Sequence, residues 1–427
     1  MPMQFDPPSG TRDFLAAEIE ARERAFAVIH AVYSGYGFEP LQTPAFERLD
    51  VLLGKYGDEG DKLVFKILRR GEHEASGEAD LALRYDLTVP LARVAAAYGS
   101  RLPSPYKRYA IGSVWRADRP GKGRYREFVQ CDLDTLGSRS PLADAEVLCA
   151  QNDVLGELGI GSFTIGLNSR LVLSGLLEVF GVPAELGPSV LAALDKLDKL
   201  PPAGVRAELA ARGLAADRAG ELVEVLAAPC SLGFSAAGLD QVGQLIALVS
   251  REVPAGRIAF TPSMVRGLSY YTGPIWEATA PGVPGSIAGG GRYDHLIADL
   301  GGPDLPGTGG SLGIERILGL MPGAGTAPRR RLDVAVTVLG DELAARSFAL
   351  AASARAAGLR CGVYLGSSGK LARQLKWASD QGARWCLIYG AEDDAAGTVT
   401  VRDMDSGDQT RAAVAELTSH LAALASA

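Results

Sequence analysis

Cysteine and histidine are scarce in this chain, and neither residue type is clustered. The 427 residues include five cysteines and four histidines. No two cysteines form a C-x-x-C pair, and this odd, scattered set argues for reduced thiols and against a disulfide framework. The histidines are isolated from one another, so we predict no metal site built from protein side chains.

Long apolar runs are also absent. Although 47% of the residues are hydrophobic, no stretch is long and apolar enough to span a bilayer. The first residues, MPMQFDPPSGTRDF, contain no basic segment followed by an apolar one, which argues against a secretory signal. We therefore expect a cytoplasmic protein.

Positive charge is in deficit overall but concentrated locally. The net charge is −7, which by itself argues against a nucleic-acid partner. Residues 101 to 130, however, hold eight lysines and arginines against Asp118 and Glu127, a net charge of +6. Because phosphate contacts need a basic face rather than a basic protein, this segment predicts a site for a polyanion.

The first part of the chain has the pattern of an α+β domain. Residues 18 to 34 repeat apolar positions at helical spacing, and residues 39 to 46 form an extended segment whose two prolines place it at an edge. Residues 105 to 137 predict a long antiparallel hairpin with a charged tip. Strand-like segments at 257 to 280 and 285 to 294 precede a glycine-rich turn from Gly307, which opens a helix near Ile314. Few helices separate these strands, so we predict an antiparallel sheet.

Composition divides the rest of the chain into domains. Residues from about 172 to 254 predict a helical insertion in a first domain, 1 to 325, and residues 326 to 331 read as a linker. Residues 332 to 427 alternate strands and helices, which predicts a small α/β domain. Its middle is basic, and from the pattern alone a solvated helix face and a polyanion site are equally good readings. The cations are Arg355, Arg360, Lys370, Arg373, Lys376 and Arg384.

The hairpin carries the first candidate site residues. Arg116, Arg124 and Arg126 are close enough in a hairpin to share one phosphate ligand, which arginine forks bind bidentately. Phe128 alternates with Arg124 and Arg126 at the period of a strand, so we expect it on their face, where it would stack on a base. A core phenylalanine is the plainer alternative for a strand standing alone.

Three motifs, in order, resemble those of class II aminoacyl-tRNA synthetases. The first is a long helix and a strand ending in proline, at residues 18 to 44. The second is an arginine on a hairpin strand, a loop and a phenylalanine, from VWR at 114–116 to RYREF at 124–128. The third is a glycine-rich strand leading to Glu-Arg on a helix, GSLGIER at 310–316. Each motif is weak alone, but the order and spacing make the set strong.

Four further segments resemble histidyl-tRNA synthetases in particular. RGLSYYTG at 266–273 and AGGGRYD at 288–294 match the two motifs of that family, while LRYDLTVP at 83–90 and QCDLD at 130–134 match its histidine-pocket segments. The resemblance covers the chain from Pro8 to about Leu424. It implies a histidine–tRNA ligase that activates L-histidine with ATP and transfers it to tRNA(His), with release of pyrophosphate and AMP.

The resemblance also implies roles for particular residues. Arg116 and Arg266 would act in catalysis by holding the histidine carboxylate and the α-phosphate. The ATP-binding residues would be Arg116, Arg124, Arg126, Phe128 and Arg316. The histidine-binding residues would be Asp86, Thr88, Gln130, Asp134, Tyr270, Tyr271 and Tyr293. We further expect Mg2+ bridging the phosphates, a homodimer, and an anticodon-binding role for the C-terminal domain.

Two positions depart from the family pattern. Ser269 replaces the aspartate of RGLDYYTG, and His295 stands where glycine commonly follows, a substitution that costs most if that position needs a positive φ. Two rival functions are a histidine-sensing regulatory subunit of ATP phosphoribosyltransferase and a class II synthetase for another amino acid. The first usually lacks the intact RGLxYYTG segment and lacks the C-terminal domain. The second lacks the pairing of Gln130 and Asp134 with Arg266 and Tyr271.

Overall fold

The computed structural model describes most of the chain and divides it into two compact units. The described residues are 5–56, 60–71, 76–121, 123–197, 200–227, 236–265, 270–322 and 332–426. The units are Met1–Gly325 and Thr326–Ala427. Among the described helices, none has the length and apolar character needed to cross a membrane.

The larger unit combines strands and helices. Its strands are β1 (Glu39–Pro40), β2 (Phe46–Arg48), β3 (Lys66–Leu68), β4 (Ala79–Leu83), β5 (Tyr106–Trp115), β6 (Glu127–Leu136), β7 (Thr164–Ser169), β8 (Ile258–Phe260), β9 (Pro274–Thr279), β10 (Ser286–Arg292) and β11 (Gly307–Gly313). Its helices are α1 (Ala16–Gly35), α2 (Leu49–Leu52), α3 (Thr88–Tyr98), α4 (Pro141–Glu157), α5 (Arg170–Val179), α6 (Gly187–Leu194), α7 (Pro202–Ala211), α8 (Ala216–Ala227), α9 (Ala236–Val249) and α10 (Ile314–Leu318).

An eight-stranded sheet organises this unit, in the order β1-β5-β6-β11-β10-β9-β7-β8. From β5 through β6, β11, β10 and β9 to β7, neighbouring strands pair antiparallel. The two edge strands, β1 and β8, pair parallel with β5 and β7. The antiparallel sheet and the β5–β6 hairpin are therefore confirmed. The proline-bearing segment is also at an edge, because β1 pairs only with β5.

The predicted glycine-rich turn is wrong: Gly307–Gly313 is β11, a strand paired on both sides. Glycine favours turns in a local pattern, but here it lets neighbouring side chains lie against the backbone. A Cβ on Gly310 would fall 2.5 Å from Gln151 Nε2, and one on Gly307 would overlap the ring of Tyr293. The helix predicted after this segment begins at Ile314, as expected.

Three apolar clusters support the larger unit, and the third of them packs α2 and α3 together through Leu52 and Leu91. The first lies between the sheet and helices α1 and α4, with Ile29, Leu133 and Leu148 fully buried. Helices α5 to α8 build the second around residues such as Leu173 and Val205. The predicted insertion is helical, yet α9 belongs to the first cluster through Val242, Leu245 and Val249, so only its earlier helices form a separate core.

The smaller unit contains the predicted alternation of strands and helices. Its strands are β12 (Val334–Val336), β13 (Cys361–Val363), β14 (Trp385–Ile388), β15 (Thr398–Asp403) and β16 (Gln409–Ala413), and its helices are α11 (Ala344–Ala356), α12 (Leu371–Asp380), α13 (Ala391–Ala396) and α14 (Leu417–Ser426). The sheet order is β13-β12-β14-β15-β16. The first three strands pair in parallel, and β15 and β16 extend the sheet antiparallel.

Candidate active site

The candidate site lies on one face of the eight-stranded sheet. Side chains alternate across a strand, so Phe128, Gln130, Asp132 and Asp134 share one face of β6. Cys131 and Leu133 point the other way and are buried in the main apolar cluster. Three of the four positions on the first face are thus polar although they are central in a sheet, which marks this face as a candidate binding surface.

Glycines opposite these side chains leave room on the same face. Gly309 pairs with Asp134, and Gly291 pairs with Gly309 in the next strand. A Cβ on Gly309 would lie 1.9 Å from Asp134 Oδ1, and one on Gly291 would lie 2.9 Å from the Tyr271 ring. Because no side chain rises from these positions, Asp134 and Tyr271 can lie directly over the backbone of β10 and β11.

A buried network fixes Asp134. Arg108, opposite it on β5, is completely buried and places Nη2 2.8 Å from Asp134 Oδ2. The Tyr293 hydroxyl donates a hydrogen bond to Asp134 Oδ1. Burial raises the pKa of the Asp134 carboxyl, while Arg108 and Tyr293 act in the opposite direction. The Arg108 contact is an ion pair without hydrogen-bond geometry, so Oδ2 keeps its capacity to accept a hydrogen bond.

Two further oxygens face this region without a donor. Asp86 precedes α3, where its Oδ1 accepts from the Val89 amide at 3.0 Å and from the Tyr56 hydroxyl at 3.3 Å. Asp86 Oδ2 and Gln130 Oε1 are buried and have no hydrogen-bond partner within the described residues. Gln130 is held through its other amide atom, which donates to Ser311 Oγ at 3.1 Å. Buried acceptors without donors are costly, so these oxygens are suited to a ligand that brings N–H groups.

Three tyrosines cover the same part of the sheet. The ring of Tyr270 contacts those of Tyr271 and Tyr293 edge to face, with centroids 5.2 and 5.8 Å apart. Tyr270 also hydrogen-bonds with Thr88. Burial raises the pKa of each tyrosine, so all three stay neutral hydrogen-bonding groups. Arg266 and Ser269, in the segment just before Tyr270, lie outside the described residues.

The hairpin arginines occupy different environments. The Arg116 guanidinium carbon lies 4.3 Å from the Tyr85 ring centroid and 5.2 Å from that of Phe128. Arg124 pairs with Asp118 at 2.6 Å, and Arg126 donates to the carbonyls of Asp118 and Ser9. We predicted that Phe128 shares one face of a strand with Arg124. This prediction is wrong, because β6 begins at Glu127 and Arg124 lies in the tip of the hairpin.

Arg316 lies at the same end of the sheet as Phe128. The register pairs Gln130 with Gly313, the last residue of β11, and α10 begins immediately afterwards. Arg316 Nη1 donates to the Ser286 carbonyl at 2.6 Å, at the first residue of β10. Asp134, Gly309 and Gly291 lie farther along the strands, so the site has an arginine-rich end and a tyrosine-rich end.

Sequence reasoning missed two residues on this face, Arg108 and Asp132. Asp132 had a usable signal, since it alternates with Gln130 and Asp134 on a predicted strand. Arg108 had none, because one cation among the eight of a basic segment gives no indication of complete burial. His295, which stands where the family commonly has glycine, causes no backbone strain, because among the described residues only glycines have a positive φ.

The fold and this face together define the catalytic domain expected of a class II aminoacyl-tRNA synthetase, with a hairpin arginine beside a glycine-rich strand that leads to a second arginine. Residues 10–317 match the family model described as histidyl-tRNA synthetase, and residues 333–424 match that of an anticodon-binding domain. The chain belongs to the histidyl-tRNA synthetase family.

Individual relatives agree with this assignment over nearly the full length. The histidine–tRNA ligases of Gloeobacter violaceus and Paracoccus denitrificans are each 39% identical over 94% of this chain, which covers 95% and 90% of those proteins. The crystal structure of histidyl-tRNA synthetase from Nostoc sp. superposes with a TM-score of 0.75 at 30% identity, covering 98% of this chain and 99% of that one.

Proposed function

We propose that the described face of the sheet is where this histidine–tRNA ligase activates L-histidine. The histidine carboxylate attacks the α-phosphate of ATP and pyrophosphate leaves; the histidyl group then passes to the 3′ end of tRNA(His), releasing AMP. The observation that carries the proposal is the set of buried acceptors without donors, Asp86 Oδ2 and Gln130 Oε1, on the same face as Asp134. Cytoplasm, where tRNA is charged for translation, is the matching location.

Histidine binds across the tyrosine-rich end. Its ammonium N–H groups donate hydrogen bonds to Asp86 Oδ2, to Gln130 Oε1 and to the Thr88 hydroxyl oxygen. The imidazole ring lies toward Asp134, whose Oδ2 accepts the ring N–H. Tyr270, Tyr271 and Tyr293 enclose the ring. A buried carboxylate left unpaired by an isosteric amino acid would be costly, which supports selection for histidine.

ATP binds at the arginine-rich end. Arg116 and Arg266 hold the carboxylate and the α-phosphate, and Arg124 and Arg126 reach the outer phosphates once they exchange their present partners. Phe128 and Arg316 take the two faces of the adenine. The nucleophile is already ionised, so the site needs no general base and acts by alignment and charge neutralisation.

Mg2+ would accompany the nucleotide. No three histidine, cysteine, aspartate or glutamate side chains in the described segments are grouped to hold a metal ion. Mg2+ would take phosphate oxygens and waters as most of its ligands, as it commonly does at nucleotide sites. When bound, it supplies positive charge at the phosphates beside Arg124 and Arg126.

Residues 332–427 form the tRNA anticodon-binding domain in this proposal, with 1–325 catalytic and 326–331 the link between them. Lys370, Arg373 and Lys376 are exposed on or beside α12, and Leu365 nearby is 93% exposed. A cationic surface beside an exposed apolar side chain suits phosphates and unstacked bases. Arg355 and Arg360 are engaged within the domain, with the Cys361 carbonyl and Asp333.

A homodimer is the proposed assembly. Edge strand β1 leads into a groove lined by Leu41, Pro44, Phe46, Tyr98 and Leu102. Phe46 and Tyr98 are about half exposed, at 53% and 47%. Large apolar side chains grouped beside a sheet edge favour contact with a second copy.

Histidine-dependent exchange of pyrophosphate into ATP tests the proposal. We expect exchange with histidine and none above background with threonine, proline or glycine. A protein that binds histidine without exchange would support the regulatory-subunit alternative, and exchange with another amino acid would support the other synthetases. Absence of both binding and exchange in folded protein would refute the proposed site.

A further inference from the structure

Asp132 is a buried carboxylate that the proposed mechanism does not yet use. It is 2% exposed, and its Oδ1 has no hydrogen-bond partner within the described residues. Ser311 lies opposite Asp132 on the neighbouring strand β11. The Ser311 hydroxyl hydrogen-bonds with the Asp132 carboxyl and also accepts a hydrogen bond from the Gln130 amide. Asp132 is therefore joined to a histidine-binding candidate through one hydroxyl.

The position of Asp132 places it beneath the middle of the histidine site. It lies between Gln130 and Asp134 on one strand and one face, about 6.7 Å from each along the strand. Gln130 is assigned to the ammonium group and Asp134 to the ring. A histidine molecule that spans these two side chains therefore passes over Asp132.

Three buried carboxyls, Asp86, Asp132 and Asp134, lie close enough together to act on one another's pKa. The completely buried Arg108 attracts Asp132 and Asp134, and Arg116 attracts Asp86. Arg84, which is near Asp132, directs its Nε and Nη1 to the carbonyls of Ser113 and Thr43. A buried carboxylate without a hydrogen-bond donor is unfavourable, and a cationic ligand would relieve it.

We propose that Asp132 is a further histidine-binding residue, whose free oxygen accepts a hydrogen bond from the substrate ammonium group. It joins Asp86 Oδ2, Gln130 Oε1 and the Thr88 hydroxyl as an acceptor around the ammonium group, whose three N–H bonds are shared among them. This inference rests on the proposed histidine site and adds a residue to it.

Asp132→Asn is a suitable test variant because asparagine keeps the size and shape of the side chain and removes its negative charge. Burial, opposed by Arg108 and aided by Asp134 and Asp86, raises the pKa of the Asp132 carboxyl to about 7. Asp132→Ser, which leaves space for water, provides a second variant if the asparagine variant is unstable.

The experiment compares two ligands by calorimetry: histidine and imidazolepropionate, which is histidine without its ammonium group. We expect Asp132→Asn to weaken histidine binding about 10- to 100-fold, the range for a hydrogen bond to a charged group, and imidazolepropionate binding less than about 3-fold. Asp134→Asn is the matched comparison and should weaken both ligands alike, because both carry the ring.

A pH series gives an independent readout. Protonation of Asp132 competes with ammonium binding, so the ratio of wild-type to Asp132→Asn association constants for histidine should be constant above about pH 7 and fall up to tenfold per unit below it. The titration of histidine itself cancels in this ratio. Equal losses for both ligands, no loss for either, or a flat ratio would overturn the role of Asp132. Failure of the wild-type protein to bind histidine would instead refute the proposed site as a whole.

Discussion

At the scale of single residues, Arg108 favours the ionised form of Asp134, the carboxylate proposed to accept the ring N–H of histidine. Arg108→Met would leave Asp134 buried beside only a tyrosine hydroxyl, and breaking a buried ion pair costs about 3–5 kcal/mol. The loss of the cation would raise the pKa of the Asp134 carboxyl further. We expect a higher KM for histidine that recovers as the pH rises, because the ionised form then returns.

Two comparisons separate positioning from general destabilisation in the Arg108 experiment. Arg139→Met removes an exposed pair with Asp304 and should change stability by less than about 1 kcal/mol. The double variant Arg108→Met/Asp134→Asn should regain part of the unfolding free energy, since position 134 then no longer carries a buried charge without its cation. Unfolding free energies come from urea titration and KM from pyrophosphate exchange. If the losses of unfolding free energy are additive in the double variant and the pH profile of KM for histidine is unchanged, Arg108 does not act through Asp134.

At the scale of secondary-structure elements, β11 is a strand whose glycines shape the site. Gly309→Ala would place a Cβ 1.9 Å from Asp134 Oδ1 and 2.9 Å from the Leu133 carbonyl oxygen. We expect a loss of about 1–3 kcal/mol in unfolding free energy and a raised KM for histidine, because Asp134 must move away from Arg108 and Tyr293. Gly243→Ala, in α9 with open space around it, should be neutral or stabilising. Wild-type KM in Gly309→Ala would show that the close approach is unimportant.

Elements also show where sequence reasoning succeeds. The β5–β6 hairpin, α1 and the alternation in the smaller unit follow from local periodicity, because their apolar spacing matches one kind of element. β11 did not follow from local composition, which indicated a turn, and a strand there was expected only from the resemblance of residues 310–316 to the class II motif. The need for glycine in β11 arises from Asp134, Gln151 and Tyr293, which are remote in sequence. For the same reason, the burial of Arg108 and the packing of α9 on the main cluster depend on contacts that no local pattern records.

At the scale of the whole molecule, the two units have separate cores and carry separate tasks in the proposed reaction. Fully buried residues such as Leu133 and Leu148 belong to the larger unit, and Val334, Leu387 and Leu417 belong to the smaller one. Every described residue assigned to histidine or ATP lies within the larger unit. We therefore expect adenylate formation to require only that unit and recognition of tRNA to require both.

Truncation after Gly325 tests this division. We expect histidine-dependent pyrophosphate exchange within about threefold of the full-length rate, because the truncated chain keeps its sheet, its apolar clusters and the arginine-rich end. Charging of tRNA(His) should fall by at least about 100-fold, a loss of roughly 3 kcal/mol of binding at the transition state. The full-length variant Lys370→Glu/Arg373→Glu, altered only at exposed positions, should lower charging and leave exchange intact. If the truncated and full-length chains charge tRNA equally well, the smaller unit has no part in tRNA recognition. If exchange is lost along with charging while the truncated chain remains folded, the division between the units is wrong, and adenylate formation depends on both.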